Sequence, residues 1–261
     1  MKVLFQVYPP IKHMAIVNSK KIFRTAFIAV LSVAIVSCGT ASKISDGGTY
    51  LSLDQMPDAG IYLPAPPAEN SVEFVADSAR YEWGKSIRGT ARGEQAVRDA
   101  ESDIDYFLDI FAEPMGVKIT EDNAPFLYAF LKKGMKTIRL GVTKAKDKYM
   151  RLRPFVHFGE PTAVPGDEEE LRGTGSYPSG HTVRGWGLAL LLSEICPEHQ
   201  DAILQRGYDY GESRVIVGFH YQSDVNAARS AAAASVSRMH ADKAFMKDLA
   251  RAKKEFRKIS H

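Results

Sequence analysis

The stretch from Thr182 to Ile195 is apolar or small on nearly every side of a helical projection, and Pro197 closes it. A helix without a polar face has to be surrounded by protein or by lipid. This one is too short to cross a bilayer comfortably, so it predicts a helix at the centre of a folded domain with other helices packed around it. Candidates for those neighbours follow the same period. Ile104, Phe107, Leu108 and Phe111 make one stripe, and Phe126, Leu127, Phe130, Leu131, Met135, Ile138 and Val142 make a longer one after Pro125. Asn70-Ser71-Val72-Glu73 reads as a helix start. Ile203, Leu204, Tyr208 and Val215 continue the pattern, with Gly207 and Gly211 placed for close helix contact. An Ala-rich run, Ser223 to Met239, and the stripe Phe245, Leu249, Ala252, Phe256 complete it. No alternating strand pattern, internal repeat or Gly-rich phosphate loop stands out, and the expectation is an all-α domain, a single compact helical bundle.

Composition agrees with one folded core: 261 residues, 45% hydrophobic and 25% charged. The net charge of +3 is misleading. Residues 1–38 hold five basic side chains and no acidic one, and taking those five from the 34 Lys and Arg leaves 29 against 31 Asp and Glu, a net of −2. Binding of nucleic acid through bulk charge is therefore not expected. Lys20, Lys21 and Arg24 precede the uncharged run Thr25 to Ser37 and then Cys38, the pattern of an export signal. Ile35-Val36-Ser37-Cys38-Gly39 resembles a bacterial lipobox, with Cys38 lipidated and becoming the mature N-terminus; either Met1 or Met14 could start the chain. The expected organisation is a signal at 1–38, a tether and extended lead-in at 39–69 and a helical domain at 70–261. That places the protein in the bacterial periplasm, held to a membrane only by an N-terminal lipid. With Cys38 lipidated no intrachain disulfide is possible, and Cys196 is expected to be buried packing.

Three separated clusters carry chemistry: Lys146 with Arg153-Pro154; Gly175-Ser176-Tyr177-Pro178-Ser179-Gly180-His181-Thr182; and Ser213-Arg214 followed by His220 and Asp224. Each has an ordinary reading by itself. A Lys and an Arg seven apart suit a solvated helix face, Pro-Ser-Gly-His a turn before a helix, and His220 and Asp224 a local hydrogen-bonded pair or a metal ligand. Together they assemble three cations, two histidines and a helix N-terminus, which is the equipment for a phosphate or similar oxyanion. Arg153 and Arg214 offer planar donor forks and Lys146 a compact charge. The turn at Ser179-Gly180 would aim free amides and the positive end of a helix dipole at the anion, with Gly180 leaving room for the approach. One histidine could attack phosphorus while the other protonates the departing oxygen.

These clusters match, in residue and spacing, the three-part signature of the type 2 phosphatidic acid phosphatase superfamily, which includes vanadium-dependent haloperoxidases. GSYPSGHT (175–182) resembles the hallmark of the bacterial class A non-specific acid phosphatases. The likeness extends through YEWGKSIRGTARG (81–93), AKDKYMRLRPF (145–155) and SRVIVGFHYQSDVNAAR (213–229), covering roughly residues 60–257.

The resemblance implies an all-helical fold and hydrolysis of phosphate monoesters of broad specificity, among them nucleotides, sugar phosphates and aryl phosphates, without metal or other cofactor. It implies His220 as nucleophile through a phosphohistidine, Asp224 as its orienting carboxylate and His181 as proton donor and then acceptor. It also implies that Lys146, Arg153, Arg214, the Ser179 hydroxyl and the Gly180 backbone hold the phosphoryl oxygens, and that copies of the chain self-associate. Mildly acidic conditions should favour activity, and transfer of the phosphoryl group to alcohols is a possible side reaction. Alternatives from the sequence are an apyrase-like nucleoside di- and triphosphate hydrolase, a haloperoxidase holding vanadate, and a non-catalytic phosphate-binding lipoprotein. A membrane-embedded lipid phosphatase is disfavoured because no long apolar span follows the signal. Arg184, one turn after His181, could meet a second phosphate or make a surface salt bridge. Asp167 to Glu170 are expected to be a solvated loop, with repulsion of highly charged substrates as the alternative, and His157, His199 and His240 surface or structural residues.

Overall fold

The structure, a computed structural model, describes residues 48–260; the expected signal and Cys38 lie outside the described residues. Among those residues there is no strand. In chain order the helices are α1 Ala59–Tyr62, α2 Val72–Ser86, α3 Ala91–Arg98, α4 Ile104–Met115, α5 Pro125–Leu140, α6 Thr143–Tyr149, α7 Pro154–Phe158, α8 Glu168–Arg172, α9 Gly180–Ile195, α10 Gln200–Ile216, α11 Gln222–His240 and α12 Lys243–Ile259. No described helix is long and apolar enough to cross a membrane.

Helix α9 is the axis of the bundle, with α5, α10 and α11 packed around it. Val183, Leu188, Ala189, Leu191 and Leu192 are fully buried along it, as its lack of a polar face requires. Small residues set the spacing. A side chain at Gly185 would run into the Tyr210 ring, and one at Gly207 into the Ala189 methyl, so α9 and α10 approach closely at both points. The caps follow local chemistry: Ser71 accepts from the Phe74 amide, Asp103 from Tyr106 and Asp242 from Phe245, each closing the first turn of its helix. Gly116 ends α4 in the left-handed conformation that favours glycine.

The main core runs from Phe107 and Phe111 through Phe130, Leu131 and Ile138 to Phe245 and Phe256, and Cys196 is buried in it. Residues 50–63, inside the stretch read as tether and lead-in, also pack on this core through Leu51, Met56 and Ala59. A second, smaller cluster of Ala96, Phe155, Ile216, Val217 and Phe219 lies beneath the turn between α10 and α11. Gly218, at φ 96°, allows that turn to reverse, and Arg88 fastens it by donating to the Ile216 and Val217 carbonyls.

Because Gly207 faces the Ala189 methyl, Gly207→Val should force α10 off α9. Urea unfolding should show about 1–3 kcal/mol less stability than the unsubstituted chain. A stability within 0.5 kcal/mol would mean that the two helices are not in close contact there.

Candidate active site

The three clusters converge at one end of α9. Ser179 is its N-cap, taking hydrogen bonds from the Thr182 amide (3.3 Å) and hydroxyl (2.9 Å), so Gly180 and His181 supply first-turn amides that lack intrahelical partners. The Ser179 amide itself donates to the backbone carbonyl of Asp224 at 3.1 Å. This bond seats the start of α9 beside the start of α11, and with it His181 beside the turn that carries His220. The Tyr177–Pro178 peptide leading into α9 is cis.

Lys146 lies on α6 and Arg153 caps α7, so the two do not share a helix face as their spacing alone suggested. Both point inward. Lys146 Nζ donates to the Gly175 carbonyl at 2.5 Å. Arg153 is 4% exposed; it donates to the carbonyls of Leu171 and Phe219 and to the Thr174 hydroxyl, and its Nη1 stands 3.3 Å from His220 Nε2. Arg214 is wholly buried, bonded through Nη1 to the Asp99 carbonyl and stacked 4.8 Å from the Phe219 ring, while its Nε has no hydrogen-bond partner. Among the described residues no carboxylate comes within ion-pair distance of any of the three. Neutral carbonyls and hydroxyls hold them directly, and Asp224, near Lys146 and Arg153, offsets their charge only in part.

The consequences appear in the titrating groups. Burial, with Arg153 and Arg139 nearby, pushes Lys146 down to about 7. Burial lowers Arg153 and Arg214 to about 10 each. Burial, then Arg153, Lys146 and Arg214, holds His220 well below an ordinary histidine. Burial, then Arg214, Arg184 and His220, does the same to His181, whose Nε2 lies 3.2 Å from the Ala100 carbonyl. Both rings are therefore neutral in the unliganded site.

Asp224 is not left to balance the cations. Its Oδ1 accepts from Arg151 Nη1 at 2.7 Å and its Oδ2 from the Tyr221 amide at 2.9 Å; Oδ2 also stands 3.5 Å from His220 Nδ1, a long contact for a hydrogen bond. Arg151 continues to Asp77 on α2 at 2.9 Å, and Asp77 accepts from the Ser223 amide. Arg151, Asp77, Thr174 and Arg139 were not identified as site residues from the sequence. Arg151 lies within the stretch that carries Lys146 and Arg153, but Asp77 gave no local signal.

His181 opens onto a pocket of about 360 Å³ lined also by Ala100, Glu101, Ser102, Val164, Asp167, Glu170 and Leu171. The acidic run is thus more than a solvated loop. Asp167 ends a short 3-10 turn, Glu168 opens α8 and accepts from the Thr162 amide, and Asp167 and Glu170 stand at the pocket mouth. His157, His199 and His240 stay outside the site; His240 is paired with Glu194 on the far reach of the bundle from α9's N-terminus.

The PAP2 superfamily pattern matches residues 127–244. A non-specific acid phosphatase of Providencia stuartii is 43% identical over 235 residues, 90% of this chain and 95% of that protein. The chain belongs to the bacterial non-specific acid phosphatases of the PAP2 superfamily. A non-specific acid phosphatase of Salmonella typhimurium is 40% identical over 210 residues (79% of this chain, 83% of that one), and an acid phosphatase of Zymomonas mobilis 34% over 201 residues (77% and 76%). As a member of this family the protein is an acid phosphatase acting on small phosphate esters.

A buried His220 and a half-buried His181, both neutral in the native state and ordinary in the unfolded chain, mean that the unfolded chain binds more protons below about pH 6.5. The stability they contribute is complete above that value and is lost as pH falls through it. The unliganded phosphatase should melt at progressively lower temperature from pH 7 to pH 5, and a His181→Gln variant should show a shallower decline. Parallel curves for the two proteins would show that His181 does not titrate this way.

Proposed function

We propose that this phosphatase cleaves phosphate monoesters through a phosphohistidine on His220, without a metal ion, and accepts a broad range of alcohols. The observation that carries the reading is His220 Nε2 beside Arg153 Nη1, at the edge of two buried guanidiniums and the half-buried Lys146, none of them paired with a carboxylate among the described residues. A phosphoryl dianion supplies the missing charge. Lys146, Arg153 and Arg214, the Ser179 hydroxyl and the Gly180 amide surround its oxygens and stabilise the charge that spreads over them in the transition state. The specificity is broad because these contacts address the phosphoryl group and leave the alcohol in the open pocket.

In the first step the neutral His220 Nε2 forms a bond to phosphorus as the bond to the ester oxygen breaks. Asp224, fixed by Arg151 and the Tyr221 amide, faces Nδ1 and favours the tautomer with its proton there, while balancing the charge the ring acquires. His181 gives its proton to the departing alkoxide. With Nε2 turned to the Ala100 carbonyl, Nδ1 is the nitrogen left to face the pocket. His181 is neutral in the empty site, and the incoming dianion offsets the cations that suppress its protonation; mildly acidic solution assists. In the second step His181 takes a proton from water, the oxygen attacks phosphorus, the P–N bond breaks and phosphate leaves. The basic residues before the run Thr25–Ser37 and Cys38 support export and attachment by an N-terminal lipid.

His220→Ala should abolish turnover in excess EDTA and prevent acid-labile phosphoenzyme from forming. His181→Ala should lose about 10²–10⁴-fold on alkyl phosphates and much less on p-nitrophenyl phosphate, whose leaving group needs little protonation. Equal losses on both esters would remove His181 from the acid role.

Lys146 gives a separate test. In the free enzyme its charge disappears as pH rises through about 7, so kcat/KM should decline above that point. Lys146→Arg, charged throughout, should carry the decline to higher pH, and an unmoved profile would assign it to another group.

A further inference from the structure

Two more arginines meet at the first turn of α9, outside the set that surrounds the phosphoryl group. Arg139 lies on the last turn of α5, where its guanidinium covers the open side of Gly180. A methyl group built on Gly180 would stand 3.3 Å from Arg139 Nε and 3.7 Å from Nη2. Arg184 returns along α9 to the same residue, donating from Nε to the Gly180 carbonyl at 3.3 Å and from Nη1 to the Ser102 carbonyl at 3.2 Å. Ser102 lines the pocket into which His181 opens. The hydrogen bond of Arg139 is a long one, 3.4 Å to the Thr143 hydroxyl.

Both side chains are half-buried, and among the described residues neither has a carboxylate within ion-pair distance. Burial lowers both, and Arg184 lowers Arg139 further. Arginines on protein surfaces turn to water or to acidic partners, whereas two desolvated forks drawn to one glycine are mutually repulsive until an anion joins them. Their charge also reaches the reaction: Arg184 acts on His181 and Arg139 on Lys146.

We propose that Arg139 and Arg184 form a subsite beside the phosphoryl pocket that takes a second anionic group of the substrate, a phosphoryl or a carboxylate. The inference rests on the phosphohistidine reading for the position of the first phosphoryl group. Asp167, Glu170 and Glu101 on the pocket into which His181 opens oppose polyanions, so the pair's contribution is measured as a change between variants and not as an absolute preference.

The probes are three non-hydrolysable phosphonates, used as inhibitors of p-nitrophenyl phosphate hydrolysis by the full chain. Methylphosphonate presents one anionic group, methylenediphosphonate a second phosphoryl and phosphonoacetate a carboxylate. Arg139→Gln and Arg184→Gln should each weaken inhibition by at least one of the two-headed compounds about tenfold. Methylphosphonate inhibition should change much less than this, by no more than the altered charge on Lys146 and His181 accounts for, and the melting temperature should stay near that of the unsubstituted enzyme. Loss confined to methylenediphosphonate identifies a phosphoryl as the second group, and loss confined to phosphonoacetate a carboxylate. Equal weakening of all three compounds, or no change in any, overturns the subsite. The reporter reaction keeps the two readings apart: turnover that His220→Ala abolishes, with no discrimination among the phosphonates, retains the phosphohistidine and discards the subsite.

Discussion

The rest of the site depends on positive charge that the protein withdraws from water and pairs directly with no carboxylate among the described residues. Lys146, Arg153 and Arg214 are held by the carbonyls of Gly175, Leu171, Phe219 and Asp99 and by the Thr174 hydroxyl. Carbonyl dipoles fix the direction of each donor while leaving its charge available, whereas a carboxylate in their place would have competed with the substrate for it. The arrangement weakens the empty protein, because like charges in a poorly solvated space repel one another and penalise protonation of anything beside them. The depressed His220, His181 and Lys146 express that cost. A core of aromatic and aliphatic side chains around α9 is large enough to sustain it.

One carboxylate does sit among these groups, and its neutralisation is local. Asp224 receives Arg151, and Arg151 is shared with Asp77, so a buried acid–base–acid chain links α2 to the start of α11. The same residue takes the Tyr221 amide on its side chain and the Ser179 amide on its backbone. Asp224 therefore positions two things at once, the first turn of α11 and the first turn of α9, and stands 3.5 Å from the imidazole of His220. Loss of its carboxylate would disturb geometry as well as tautomer. Retaining the shape but not the charge, as in Asp224→Asn, would strand Arg151 between one acid and a neutral amide.

Much of this was legible in the sequence, for identifiable physical reasons. The helix Gly180–Ile195 could be read because a segment without a polar face can only lie inside, and the stripes around Phe107 and Phe130 because one-sided burial imposes the helical period. The candidate site residues could be picked out, and the structure brings them together, because Pro-Ser-Gly-His, Arg214 with His220, and Lys146 with Arg153 each stand in a fixed local spacing. What spacing could not reveal were partners distant in the chain. Arg151 and Asp77 are 74 residues apart, and nothing near Asp77 marks it as the acid that holds Arg151. The placement of Lys146 and Arg153 inward, on different helices, depends on the carbonyls of the 171–175 segment turning to meet them. Glu168 was misread for a similar reason: its carboxylate closes a turn at Thr162, which requires the chain to fold back on itself.

The acid preference of such a site follows from the same charge. A phosphate ester enters as a dianion only when its own second proton is gone, and it finds its full set of cations only while Lys146 keeps its proton. Raising pH improves the first condition and removes the second, and the two oppose each other near neutrality. In the proposed mechanism His181 adds to the bias, since its proton would arrive from solution after, or together with, the anion that favours it. The proton and the phosphoryl group are thus bound cooperatively: each offsets part of the charge that excludes the other's partner from the empty pocket. An electrostatic vacancy built from fixed cations needs no conformational switch to gain this coupling, because the substrate's charge is itself the switch.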